Sequence, residues 1–172
     1  MINLNKPLCI VPRGSDNLCF SALFGVRSWL THLPNAPRPV FTHDLNQCEN
    51  PPIIFYENPT LDSAGVCKKH EWGYEITIRE PSGANSQVPA HEIGHALGIW
   101  WHRGIADASL MSADASFMLT PEDMADLCQV HPEIKCPQYK WCEGTFKYPH
   151  PICPAATPID SVIQWRKQQE RK

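Results

Sequence analysis

Apolar residues change their spacing several times along the first hundred positions, and each change marks an element. Residues 8–12 form a short continuous apolar run, the pattern of a first strand. Leu18, Phe20, Leu23, Phe24, Val26, Trp29, Leu30 and Leu33 then repeat with a helical period. Asp16 or Asn17 can cap this helix, and Pro34 stops it. Residues 39–43 and 53–56, the latter bracketed by prolines, predict two more strands. Residues 65–67 and 74–79 predict a hairpin, in which Ile76 and Ile78 alternate with polar neighbours as in a half-buried strand. A second helix leads in from 86–90 and turns out at Gly98. A third opens at Thr120-Pro121-Glu122-Asp123, with a threonine cap, a proline at the first position and acids in the first turn.

Beyond residue 128 the periodicity is lost. Residues 128–158 are rich in cysteine and proline and predict a stapled, loop-rich extension, and 160–172 a short terminal helix with a basic tail. The 172 residues suit one domain with a real core. A formal charge of −3 without a basic stripe argues against nucleic acid. No apolar run approaches the roughly 18 residues that span a bilayer. Eight cysteines, an even set with no Cys-x-x-Cys pair, favour four disulfides over a second metal site. Pairing within the first four and within the last four is compatible with their order, though sequence does not set connectivity. Disulfides imply a secreted or extracytoplasmic protein. The N-terminus shows no apolar leader, so the expectation is a mature chain.

The second helix carries the chemistry. His91-Glu92-Ile93-Gly94-His95 places two imidazoles about 40° and about 6 Å apart on one helix face, within reach of one metal ion. Glu92 leans beside that pair, where it can take a proton from a metal-bound water. A five-residue pattern can arise by chance on an amphipathic helix. Gly98 and His102 just beyond it argue against that here. If the helix ran on, His102 would lie about 10 Å along the axis from His95. To ligate, the chain must leave the helix near Gly98 and double back through Ile99, Trp100 and Trp101.

Residues 88–98, reading Val-Pro-Ala-His-Glu-Ile-Gly-His-Ala-Leu-Gly, resemble the zinc helix of the metzincin metallopeptidases, the matrixins in particular. Ala108-Ser-Leu-Met111-Ser112 resembles their Met-turn, and residues 119–127 resemble their closing helix. The third ligand of that family falls at Trp101, one residue before His102. The resemblance implies an α+β fold: a twisted mixed sheet of about five strands with one antiparallel edge strand, a backing helix and a zinc helix. Residues 1–98 would form the upper subdomain, and 99–172 a lower one with the Met-turn, a further helix and the stapled extension. It implies zinc held by His91, His95 and His102, and Glu92 as the base of a monomeric metalloendopeptidase. A protein or peptide substrate would lie extended along the edge strand at 64–67. Met111 would lie beneath the metal, and 112–119 would wall a substrate pocket.

Two other readings compete. Glu122 with Asp126 has the Glu-x-x-x-Asp spacing of the gluzincin peptidases, which would make Glu122 the third ligand. A catalytically silent metal-binding or inhibitory module on the same fold is the other, against which Glu92 is intact.

Overall fold

The structure, a computed structural model, describes residues 1–33, 35–81, 87–104, 109–113 and 119–134, and the backbone of 139–140 and 153–154. Five strands form one sheet: β1 (Cys9–Arg13), β2 (Val40–Phe41), β3 (Ile53–Glu57), β4 (Gly65–Lys69) and β5 (Tyr74–Ile78). Their order is β2-β1-β3-β5-β4, with every neighbouring pair parallel except the antiparallel edge pair β4–β5. Among the described residues three α-helices accompany them: α1 (Asp16–Leu30), α2 (Gln87–Ala96) and α3 (Pro121–Val130). The protein is therefore α+β with a mixed five-stranded sheet and one antiparallel edge pair, as the resemblance implied.

Alternation along the strands decides what each face carries. Ile10, Ile53, Phe55, Ile76 and Ile78 join the main core with Leu18, Ala22, Val26 and Trp29 of α1 and Val88 and Ile93 of α2. Cys9, Val11 and Ile54, the residues between them, form a smaller cluster on the other face. Trp29 is wholly buried and donates its indole N–H to the Ala90 carbonyl at 2.7 Å, tying α1 to the first turn of α2.

Several expectations change. The cap of α1 is Ser15, not Asp16 or Asn17: its Oγ accepts the Leu18 N–H and donates to Glu57 on β3 at 2.7 Å. That carboxylate, distant in sequence, selects among three adjacent residues that could all cap. The second strand is only two residues long, because Asp44 folds the next residues into a 3₁₀ turn at Leu45–Gln47. The cysteines do not all pair. Cys9 bonds Cys48 on the outer face, and Cys128 is also disulfide-bonded, but Cys19 on α1 and Cys67 on β4 are free thiols. Both sit on elements that pack on α2 rather than chiefly on each other.

Helix α3 begins as expected, with Thr120 and Asp123 completing a reciprocal capping box. Of the expected extension, 128–130 belong to α3, 131–134 follow it, and beyond them only a short antiparallel pair is described, Tyr139–Lys140 with Cys153–Pro154. Pro34, the lead-in residue Ser86, most of the expected pocket wall at 112–119 and the terminal helix at 160–172 lie outside the described residues.

Candidate metal centre

Helix α2 ends two residues before Gly98, which takes φ +105°, a left-handed conformation that glycine adopts without strain. The Ile99 N–H bonds the Gly94 carbonyl at 3.0 Å and the Gly98 N–H bonds His95 O at 2.9 Å, a Schellman stop. Ile99 is buried, and the chain doubles back from there.

The return brings His102 onto the helix pair. Its Nε2 lies 3.2 Å from His91 Nε2 and 3.1 Å from His95 Nε2. His91 and His95 are buried and His102 is exposed, and their ligand atoms all fall within 4.8 Å of one another. The far nitrogens of the helix pair are already committed. His91 Nδ1 lies 2.8 Å from Leu110 O, and His95 Nδ1 lies 2.7 Å from Ile99 O. A carbonyl can only accept, so each Nδ1 carries the proton and each Nε2 presents a lone pair. Burial also pushes the His95 pKa down to about 4, keeping it neutral at neutral pH.

That arrangement fits a cation. The single Nε2 of His102 carries at most one hydrogen to offer two lone pairs, so at least one close N···N contact is repulsive. An ion between the rings converts all three lone pairs into bonds. Tetrahedral bonds of about 2.0–2.1 Å separate donor nitrogens by roughly 3.3–3.4 Å, close to the spacing here.

Comparison with family models, with curated proteins and with solved structures finds no match. The site is therefore judged on its own geometry.

Glu92 sits beside the histidines without joining them. Its buried carboxyl is pushed up to about 7 by loss of solvent, an effect opposed by a hydrogen bond from the Cys67 backbone N–H on β4. Burial, reinforced by the Glu92 carboxylate, raises the Cys67 thiol far above the usual thiol range. Together these groups line a cleft of about 400 Å³ between edge strand β4 and the histidines.

The turn at 109–112 packs against the helix that carries two of the histidines. Wholly buried Met111 packs against Gly94, where a Cβ would strike its sulfur. Its carbonyl accepts the Arg103 N–H at 2.8 Å. Asp123 holds this turn through the N–H groups of Leu110 (3.0 Å) and Met111 (3.3 Å) and through the Ser109 hydroxyl. Sequence reasoning saw Asp123 only as a first-turn acid, because its partners lie more than ten residues upstream.

The other carboxylates take different roles from those the gluzincin spacing suggests. Glu122 is outside the ligand cluster, and its backbone carbonyl accepts from Arg103 at 3.1 Å. Asp126 is bound by Trp101 and Arg103. The third group at the cluster is His102, so the Glu122 alternative has no geometric support. The two tryptophans also diverge: Trp100 lines the cleft and stacks on His95 and Tyr74, while Trp101 turns to α3.

Proposed function

We propose that the protein is a secreted zinc metalloendopeptidase of metzincin type, with His91, His95 and His102 as metal ligands and Glu92 as general base. The observation that carries this reading is the convergence of three imidazole Nε2 atoms next to a buried carboxyl that is not itself a ligand. Three nitrogen ligands leave a coordination position open, as catalytic rather than structural zinc sites do. Zinc, when bound, polarises the scissile carbonyl and lowers the pKa of a coordinated water.

The remaining steps belong to the chain. Glu92, with a pKa near neutrality, takes the proton of the attacking water and returns it to the leaving amine. Among the described residues, edge strand β4 pairs only with β5, and an extended peptide would add to its other side as a further strand. The Leu110 and Ile99 carbonyls hold two ligand rings in the correct tautomer. The intact Glu92 beside the histidines favours this reading over a silent metal-binding module.

The test combines elemental analysis with cleavage of an unfolded protein and a peptide library, each with and without a chelator. One zinc per chain and chelator-sensitive internal cleavage are expected. Glu92→Ala should keep the zinc while activity falls by about 10²–10⁴. Bound zinc without cleavage of any substrate would select the silent module, and loss of zinc with Glu92→Ala would give that residue a structural role.

A further inference from the structure

The three ligands differ in how they are held. His91 and His95 are buried on α2 with their Nδ1 atoms fixed by carbonyls, whereas His102 is exposed and, among the described residues, nothing bonds its Nδ1. Its neighbours on both sides are tied instead. Trp101 donates its indole N–H to Asp126 Oδ2 at 3.2 Å. Arg103 donates to the same oxygen through Nε at 3.1 Å and Nη2 at 2.5 Å. Residues 101 and 103 thus both face α3, and residue 102 between them is turned the other way, towards His91 and His95. In Arg103 the anchor is reinforced by the Glu122 carbonyl and by an ion-pair distance of 3.9 Å to Asp123.

We propose that Asp126 is a positioning residue for the metal site: by clamping Trp101 and Arg103 to α3, its carboxylate aims His102 at the metal. The inference rests on the reading of His102 as a ligand. It also accounts for the extra residue in the return. Trp101, which stands where the metzincin pattern has a histidine, cannot coordinate a metal through an indole N–H. The clamp gives that side chain a partner on α3 and delivers the next residue to the site.

The test measures Zn²⁺ and Co²⁺ affinity of the full chain, the Co²⁺ absorption spectrum and the melting of the metal-free protein. Asp126→Ala should weaken metal binding about 10–100-fold, the usual effect of removing a group that orients a ligand. It should shift the Co²⁺ spectrum in the direction that His102→Ala does, and Asp126→Asn, which keeps an oxygen acceptor, should recover part of the loss. In a His102→Ala background, Asp126→Ala should cost no further affinity, because a positioning residue acts only through its ligand. Wild-type affinity in Asp126→Ala beside weakened binding in His102→Ala would overturn the clamp alone. Wild-type affinity in His102→Ala would instead overturn the three-histidine site. An additive double variant would reduce Asp126 to a structural role. If Asp126→Ala does not fold, Trp101→Phe and Arg103→Gln decide: reduced affinity in either supports the clamp, and wild-type affinity in both overturns it.

Discussion

Helix α2 and the return segment at 98–103 each deliver ligands to one point, by opposite means. On α2 the backbone does the work. Helical spacing stacks His91 above His95, and the whole length from Val88 to Leu97 is buried against the sheet and α1. The return has no regular structure of its own. It is placed by side chains of α3 and by the turn at 109–112, through hydrogen bonds spanning eight to twenty-five residues. A site built this way joins a preformed, apolar half to a polar half that must be assembled around it. The two halves should fail differently.

The largest expected effect breaks the apolar half. Trp29 is wholly buried between the sheet and α2, and its indole N–H holds the Ala90 carbonyl just before His91. Trp29→Ala should destabilise the protein by about 3–5 kcal/mol, the range for removing a buried aromatic side chain. Denaturant unfolding measures it. A loss under about 1 kcal/mol would mean that α2 does not depend on α1 for its position.

The next effect breaks the polar half. Asp123 satisfies the Leu110, Met111 and Thr120 N–H groups from a fully buried position. Asp123→Asn keeps the shape but turns one oxygen into a donor, setting it against at least one of those N–H groups. A cost of about 1–3 kcal/mol is expected. Metal affinity should fall with it, since Leu110 O orients His91 and Met111 O anchors Arg103. If stability falls and metal affinity does not, the turn supports the fold but not the site.

The same contrast governs what the chain discloses before folding. Strands and helices of the apolar half follow from spacing, and His91, Glu92 and His95 follow from one motif on one helix. Gly98 marks the helix stop because its left-handed φ is a local requirement. The polar half depends on partners that are remote in sequence. Asp126 was visible as a carboxylate at a ligand-like spacing, yet its partner Trp101 lies 25 residues away. Ser15 outranked Asp16 and Asn17 only because Glu57 lies 42 residues ahead of it. Cysteine count suggested complete pairing, but pairing needs proximity, and only the fold brings Cys9 to Cys48 across a separation of 39 residues.

The smallest effect is kinetic and concerns the apolar half at its edge, where β4 meets Glu92. Cys19 and Cys67 should be the described cysteines that a thiol reagent labels in the native, unreduced chain, while Cys9, Cys48 and Cys128 stay protected. Peptide mapping after labelling tests this, and labelling of neither thiol would restore complete pairing. The thiolate is the reactive form, and burial and then the Glu92 carboxylate raise the pKa of Cys67. A raised pKa means less thiolate at a given pH, so Cys67 should react at least about tenfold more slowly than a free cysteine near pH 8. Its rate should rise as pH rises. In metal-free protein, Glu92→Gln removes the negative charge while keeping the side chain's size, and should speed labelling of Cys67 but not of Cys19. Equal rates in wild type and variant would leave burial as the sole cause, and would separate Glu92 electrically from the edge strand it faces.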